Sequence, residues 1–260
     1  MLLKNQDQLH VGIFQMNLEW ESPKENLLKI KNGLEKFGDR LNLLILPEMF
    51  TTGFSMEANA LAWTYSHPEF IMVSEWAKTY KCSIIGSVWF YENDKFYNRC
   101  FHWSLDGEVE FYDKVHTFSL VKENKFITGG TDQKIFHVRN WKIKPQICYD
   151  LRFPKGSYNI GNDPYDLLLY VANWPEKRIE AWDVLLKARA VENQSYVIGV
   201  NRVGEEPKAI KYSGHSVAID YKGKITKELP KYKEEIMLVT LQKKPQIEFR
   251  NRFPFIMDEI

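Results

Sequence analysis

The sequence predicts an α/β protein, because two kinds of segment alternate and the composition allows a large core. Strand-like apolar stretches and amphipathic helix-like stretches follow each other along the whole chain. Of its 260 residues, 44% are hydrophobic and 27% are charged, as in an ordinary globular protein. We find no internal repeat and no long linker, so we expect one domain over residues 1–260. Periodicity alone leaves two architectures open, an open α/β sheet and a two-sheet sandwich flanked by helices.

The first half of the chain predicts two βα units and then a β-hairpin. Ser22, Pro23 and Glu25 have the spacing of a capping box at the start of the first helix. The apolar run that ends at Pro47 is typical of a strand covered on both faces. In chain order we predict strand 11–17, the helix from residue 22, strand 43–46, helix 67–80 and strands 83–91 and 96–105, the last two joined by a turn at 92–94.

The second half predicts a βαβ arrangement. A strand over 142–147 leads directly into Cys148, and DLLLYV over 166–171 is a further apolar strand. Residues 178–193 have the apolar spacing of a long helix, and 196–200 and 215–219 return to strand character. The tail after Lys243 is mixed and aromatic, and we expect it to pack against another part of the fold or against another subunit.

Charge and cysteine content exclude several classes of function. The net charge of +1 provides no general field that would attract nucleic acid or an anionic membrane. The three cysteines are widely spaced, which fits neither a disulfide framework nor a zinc site. We see no signal-peptide h-region and no apolar run approaching the roughly 20 residues that span a bilayer. We therefore expect a cytoplasmic protein with reduced thiols and no bound metal.

Three reactive side chains follow the ends of predicted strands. Glu48 comes after LLIL and Pro47, Lys114 comes after the stretch that ends at Asp113, and Cys148 comes after Ile147. Ligand sites in α/β folds collect at the carboxyl ends of strands, where the loops diverge. Taken singly, such a cysteine is usually a small buried hydrophobe, and such a glutamate or lysine is usually a surface charge.

Longer motifs surround these residues: PEMFTTGFSM, YDKVHTF and PQICYDLRFP. Together with DLLLYVANWP, ARAVENQSYVIGVNRVG and SGHSVAID, they resemble the nitrilase superfamily of carbon–nitrogen hydrolases. The similarity runs from about Val11 to about Thr240. Within the superfamily it is nearest to the omega-amidases, which hydrolyse the amide of 2-oxoglutaramate and 2-oxosuccinamate.

The resemblance implies a fold, an assembly and a catalytic group. The fold would be a four-layer α-β-β-α sandwich, and the chain would form a homodimer or a larger homo-oligomer. The catalytic triad would consist of Glu48, Lys114 and Cys148. A further family glutamate matches Glu123, which would position the lysine and the substrate. The chain also has no long C-terminal extension of the kind common in true nitrilases, which argues against a nitrile substrate.

Amide hydrolysis needs a nucleophile, a proton carrier and a partner for the developing oxyanion. The thiolate is the attacking form of cysteine, and we expect the Lys114 ammonium to favour it. Glu48 would take the thiol proton and pass it to the leaving ammonia. Lys114 and the backbone N–H of Tyr149 are the expected donors to the oxyanion. His116, close to Lys114, is expected to orient that loop.

A 2-oxo acid amide also carries a carboxylate, which requires a cation in the binding site. Arg152 is the first candidate, because it lies near Cys148 and can bind a carboxylate with two donors. The alternative is a structural ion pair of Arg152 with Asp150 or Asp166. Lys177 and Arg178 are weaker candidates, with the alternative of solvated charges at the start of a helix.

Three aromatic residues in neighbouring loops would narrow the pocket to small acyl groups: Phe54, Phe118 and Trp174. Each has the alternative of a plain core position. No glycine-rich phosphate loop is present, so no cofactor is expected. The sequence thus predicts an amidase for a small amide substrate. Two alternatives are open: hydrolysis of another small amide, an N-carbamoyl compound or a nitrile, and a non-catalytic binding protein, against which the intact triad argues.

Overall fold

The computed structural model describes residues 7–57, 60–161, 163–207 and 209–258. Within these ranges the chain forms two six-stranded sheets, one two-stranded sheet and four α-helices. The strands are β1 (Gln8–Gln15), β2 (Leu43–Ile45), β3 (Ser83–Glu92), β4 (Lys95–Trp103), β5 (Val109–Asp113), β6 (Phe136–Val138), β7 (Trp141–Ile147), β8 (Leu167–Ala172), β9 (Tyr196–Asn201), β10 (Val203–Glu205), β11 (Lys211–Ser213), β12 (Val217–Ile219), β13 (Ile225–Glu228) and β14 (Glu235–Gln242). The helices are α1 (Pro23–Phe37), α2 (Pro68–Thr79), α3 (Ile179–Asn193) and α4 (Lys243–Arg252).

The two large sheets are built on the same plan. The first has the order β14-β1-β2-β3-β4-β5, and the second has the order β13-β12-β9-β8-β7-β6. The three consecutive strands β1, β2 and β3 are parallel, as are β7, β8 and β9, and the outer strands of both sheets are antiparallel. Parallel neighbours place their carboxyl ends at the same edge of a sheet, where loops leave room for a ligand.

The two sheets pack face to face, with helices on their outer faces. The inner core contains Ile13 and Ile45 from the first sheet and Leu167 and Ile198 from the second. On the outer side of the first sheet lie α1 and α2, and on the outer side of the second lies α3. Each fully buried aliphatic side chain contributes about 1.5–3 kcal/mol to folding. The fold is therefore the α-β-β-α sandwich, which confirms the expected four layers and excludes the open sheet that periodicity had left possible.

Most predicted elements are present. The hairpin of β3 and β4 turns at Asn93 and Asp94, both with positive φ (52° and 58°), as a two-residue hairpin turn requires. Helix α1 starts at Pro23, as predicted. The predicted capping box is not formed, because the Ser22 hydroxyl donates a hydrogen bond to the Glu25 carboxylate and accepts none from a backbone N–H. Five strands, which are short or only partly buried, were not predicted from the sequence: β6, β10, β11, β13 and β14.

The tail after Lys243 forms α4 and packs against the same chain. Arg250 donates to the carbonyl oxygens of Gln194 and Tyr165, at 2.9 and 2.8 Å. The ring of Phe249 lies 5.2 Å from that of Tyr221, centroid to centroid. Of the two expected positions for this tail, the structure supports packing within the fold. In the described ranges, no helix combines the length and the apolar character needed to cross a membrane.

Candidate active site

Cys148 lies at a sharp turn directly after β7. It begins a short 3-10 helix, Cys148–Arg152, and its φ of 46° lies in the left-handed region that non-glycine residues rarely adopt. The turn places the partly buried Cys148 on the wall of a cavity. Tyr149 is the second residue of the 3-10 helix, so its N–H has no acceptor within that helix. A strained backbone of this kind persists only when the surroundings hold it, and it is common at functional sites.

Asp150 holds this turn in place. Its carboxylate is fully buried and accepts the backbone N–H of Ile147 at 3.0 Å and the Tyr112 hydroxyl at 2.9 Å. It also accepts the backbone N–H of His116 at 2.9 Å, and its Oδ1 lies 2.8 Å from His116 Nδ1. His116 therefore connects the loop after Lys114 to the turn at Cys148, as expected of a residue that orients that loop.

Neither structural ion pair considered for Arg152 is present among the described residues. Asp150 has the partners given above. Asp166 accepts the backbone N–H of Lys142 at 2.8 Å and lies 2.8 Å from Lys243 Nζ. The Arg152 guanidinium instead lies 5.1 Å from the centre of the Trp174 ring, and its side chain lines the cavity.

Glu48 and Lys114 meet beside Cys148. Glu48 follows β2, Lys114 follows β5, and both side chains are buried. Glu48 Oε1 accepts from Lys114 Nζ at 2.9 Å and from Asn98 Nδ2 at 2.7 Å. Glu48 Oε2 accepts the backbone N–H of Asn173 at 2.8 Å. The structure thus brings together the three residues that the sequence analysis proposed as a triad.

Glu123 is the second carboxylate on Lys114. Its two oxygens lie 3.0 and 3.1 Å from Lys114 Nζ, and it also accepts the backbone N–H of Phe118. Glu123 is fully buried, and it fixes both the ammonium group and the loop that carries Phe118. This position agrees with the expectation that Glu123 positions the lysine.

Burial and charge together set the protonation states of this cluster. Burial opposes the charged form of Lys114, but the carboxylates of Glu123 and Glu48 outweigh burial and raise the pKa of the ammonium group. Burial raises the pKa of Glu123, against the lowering effect of Lys114. Lys114 is therefore the cation between two buried carboxylates.

The pKa of the Cys148 thiol is raised, although Lys114 is nearby. Burial and the Glu48 carboxylate raise its pKa well above the ordinary range, and the lowering effect of Lys114 is smaller. Lys114 lowers the pKa of the thiol, as expected, but burial and Glu48 raise it by more, so the net effect favours the protonated thiol. A nucleophile in this state needs a base to remove its proton as it attacks. The Glu48 carboxylate, which interacts with Cys148, is placed to act as that base.

The cavity in front of Cys148 has a volume of about 700 Å³. The Phe54 ring lies 5.2 Å from Lys114 Nζ, and the Phe118 ring lies 4.9 Å from that of Tyr149. All the residues that the sequence predicts for catalysis or binding line this cavity, except the buried Glu123 and the exposed Lys177: Glu48, Phe54, Lys114, Phe118, Cys148, Tyr149, Arg152, Trp174 and Arg178.

Four residues of the site were missed or undervalued. Asn98 and Asn173 hold the Glu48 carboxylate, and Asn173 Nδ2 also donates to the Glu48 carbonyl oxygen at 2.6 Å. Asn173 belongs to the YVANWP motif, which could have identified it, whereas Asn98 lies inside β4 with no local signal. Tyr212 lines the cavity and donates to Glu206 at 3.0 Å. Arg178, a weaker candidate with a solvated charge as its alternative, also lines the cavity.

The other two cysteines are unsuited to nucleophilic chemistry. Burial raises the pKa of Cys82 to about 12 and raises that of Cys100 further. Both thiols are free and buried. Across the part of the chain that the structure describes, no three His, Cys, Asp or Glu side chains are grouped as a metal site would require.

Comparison with known proteins agrees with the fold and identifies the family. A family model described as carbon-nitrogen hydrolase matches residues 10–250. The chain is 40% identical to omega-amidase YafV of Yersinia enterocolitica, over 96% of each protein. It is 29% identical to 2-oxoglutaramate amidase of Bacillus subtilis (strain 168), also over 96% of each.

A solved structure shows the same architecture. XC1258 from Xanthomonas campestris is described as a CN-hydrolase superfamily protein with an arsenic adduct in the active site. It is 34% identical to this chain and superposes with a TM-score of 0.93, covering 97% of this chain and 98% of that one. The family match over most of the chain, the similarity to these relatives and the shared fold lead to one conclusion: this chain is a member of the carbon-nitrogen hydrolase family.

Proposed function

We propose that this chain is a cysteine-nucleophile amidase that hydrolyses the terminal amide of a small 2-oxo acid amide to the acid and ammonia. The substrates would be 2-oxoglutaramate or 2-oxosuccinamate. The observation that carries the proposal is that the buried Glu48–Lys114 pair and Cys148 line the same cavity, which also contains arginine side chains. The names of the relatives, omega-amidase and 2-oxoglutaramate amidase, support the choice of substrate.

The first half of the reaction forms a thioester. Glu48 removes the Cys148 proton as the sulfur attacks the amide carbon. Oε2 is the more available oxygen, because Oε1 already accepts from both Lys114 and Asn98. The oxyanion is stabilised by the Lys114 ammonium and the Tyr149 N–H. Glu48 then gives the proton to the leaving nitrogen, the carbon–nitrogen bond breaks, and ammonia and the Cys148 acyl-thioester remain.

The second half regenerates the thiol. Glu48 takes a proton from water while the water oxygen attacks the thioester carbon, which again places an oxyanion near Lys114 and Tyr149. The carbon–sulfur bond breaks, the sulfur regains a proton from Glu48, and the carboxylic acid leaves. Glu48, Lys114 and Cys148 thus serve as one catalytic triad in both halves, with Glu123 holding Lys114.

The cavity wall would select the substrate by its size and its charge. Its volume of about 700 Å³ falls in the range of small-molecule sites. Phe54, Phe118 and Trp174 contribute apolar walls, and Arg152 is the proposed partner of the substrate carboxylate. The scheme uses no metal and no cofactor.

Compartment and assembly are part of the same proposal. All three cysteines are free, which is typical of a protein in a reducing cytoplasm. The homodimer follows from the family resemblance alone. Cell fractionation and light scattering of the purified protein test the two points separately.

The deciding experiment is ammonia release from four compounds: 2-oxoglutaramate, glutamine, an N-carbamoyl amino acid and a simple nitrile. Glutamine is a close control, because it replaces the ketone of 2-oxoglutaramate by an ammonium group and keeps the amide. Strong preference for the keto-acid amide is the expected result. Preference for another compound would keep the triad and reject this substrate, whereas no turnover of any compound would favour a non-catalytic binding role.

A further inference from the structure

Two arginine side chains line the cavity without a carboxylate partner from the protein. Arg152 is exposed and Arg178 is half-buried, and both contribute to the cavity wall. In the part of the chain that the structure describes, neither guanidinium forms an ion pair, in contrast to Arg99 and Arg189. A guanidinium directed into a cavity without an internal counter-ion is suited to bind an anionic ligand.

Trp174 supports both arginines. Its ring lies 5.1 Å from the Arg152 guanidinium, and its indole N–H donates to the Arg178 carbonyl oxygen at 2.8 Å. Trp174 is itself buried, and its backbone N–H donates to Asn201 Oδ1 at 2.7 Å. One buried aromatic residue therefore contacts the Arg152 guanidinium and holds the backbone of Arg178.

The Arg178 side chain is also held by the catalytic loops. Its guanidinium lies 5.1 Å from the centre of the Phe118 ring, in cation–π contact. The backbone N–H of Phe118 is bound to Glu123, the carboxylate that holds Lys114. Arg178 is thus connected through Phe118 to Glu123, the carboxylate that holds Lys114.

The segment 173–178 links the base to the cations. Asn173 at its start binds the Glu48 carboxylate through its backbone N–H, and Arg178 at its end lines the cavity. Because this segment is anchored at Asn173 and Trp174, the distance between the reacting carbon and a distant carboxylate of the substrate is restricted. Such an arrangement selects amides by the length of their acyl chain.

We propose that Arg178 is a specificity-determining residue that binds the distant carboxylate of the substrate jointly with Arg152. The inference rests on the proposed function, and it assigns to the substrate a carboxylate held between two guanidinium groups. Each guanidinium can donate two parallel hydrogen bonds to a carboxylate. Two carboxylates that also line the cavity form hydrogen bonds with hydroxyl groups. Glu21 accepts a hydrogen bond from the Ser55 hydroxyl, and Glu206 accepts one from the Tyr212 hydroxyl.

The test is the substitution Arg178→Met, compared with Lys177→Met as a matched control. Lys177 is an exposed cation next to Arg178 that does not line the cavity. With 2-oxoglutaramate, Arg178→Met should lower kcat/KM by about 10- to 100-fold, mainly through KM, as expected for the loss of a charged hydrogen-bond partner. With a neutral amide of similar length the loss should be far smaller. Lys177→Met should not reproduce this difference between substrates.

Further measurements separate specificity from structure. Arg178→Lys keeps the charge but lacks the planar pair of donors, so it should recover only part of the affinity for the anionic amide. Equal losses on the anionic and neutral amides, or no loss on either, would overturn the role of Arg178 while leaving the amidase proposal intact. If the unaltered protein releases ammonia from no amide, the proposed function itself is wrong.

Discussion

Lys114 Nζ lies 2.9 Å from Glu48 Oε1, and both side chains are buried between the ends of strands that are far apart in the sequence. The same ammonium contacts Glu123, so one cation is shared by two carboxylates. Such a group is stable only when it is complete, because removing one member leaves an uncompensated buried charge. Stability and chemistry therefore depend on the same three side chains, which makes substitutions here informative in both respects.

Cys148→Ala should abolish ammonia release and leave the fold intact. The alanine lacks the nucleophile, and the lost sulfur faces a cavity, so little packing is removed. Steady-state ammonia assays and thermal unfolding check the two parts. Cys82→Ala is the matched control: it removes a buried thiol away from the cavity and should keep activity at some cost in stability. Rates near those of the unaltered protein for Cys148→Ala would reject the mechanism.

Lys114→Met should lower both stability and activity strongly. It leaves the Glu48 and Glu123 carboxylates buried without their cation, which typically costs about 3–5 kcal/mol. Urea unfolding measures this loss directly. Lys31→Met is the comparison, because Lys31 forms an exposed pair with Glu35 at 3.8 Å, and such surface changes usually stay within about 0.5 kcal/mol. A similar small loss for both variants would contradict the buried arrangement.

Modification of Cys148 by a methanethiosulfonate reagent should become faster as pH rises through the alkaline range. Burial and Glu48 raise the pKa of the thiol, so the reactive thiolate is scarce at neutral pH and increases up to that pKa. The rate of inactivation between pH 6 and 10 checks this. A fast rate that is already constant near neutral pH would mean that the resting residue is a thiolate.

Asn98→Leu should lower kcat and change KM little, as measured by steady-state kinetics. Asn98 donates to Glu48 Oε1 at 2.7 Å, so its loss removes one of the groups that hold the catalytic carboxylate in position. Asn32→Leu is the matched control, because it makes the same substitution at an exposed position of α1. An unchanged kcat together with a lower Tm would assign Asn98 a purely structural role.

Arg152→Ala should raise KM for keto-acid amides far more than for neutral amides. Its guanidinium lies on the Trp174 ring and is the proposed partner of the substrate carboxylate. Parallel kinetics with an anionic and a neutral amide check this. Equal losses on both would remove Arg152 from carboxylate binding.

The motifs around Glu48, Lys114 and Cys148 were sufficient to predict the sandwich fold and the grouping of these three residues. The family resemblance that they carry decided between the two architectures that periodicity had left open. A strand buried on both faces occurs in an open sheet as well as in a sandwich, so the β2 and β8 patterns could not decide between them. β14 was missed because its exposure alternates irregularly and its packing depends on β1, far away in the sequence.

Two features of the site could not be predicted from the sequence: the net shift of the Cys148 pKa and the direction of the Arg178 side chain. The pKa shift is the balance of burial, Glu48 and Lys114, and that balance depends on their positions in the fold. Arg178 was only a weaker candidate, because charges at helix starts are usually solvated. The 3-10 turn Glu176–Arg178 before α3 directs it instead toward Phe118, and no local signal in the sequence indicates that turn.

The pairing of β14 with β1 has a consequence for biosynthesis. The two strands match over eight residue pairs, from Gln8 with Gln242 to Gln15 with Glu235. During translation β1 emerges well before β14, and the backbone groups on one of its edges find no partner until the long segment between the two strands has been made. Contacts this distant in sequence slow folding, and an unpaired strand edge can associate with other chains. We therefore expect the nascent protein to benefit from chaperones until β14 has left the ribosome.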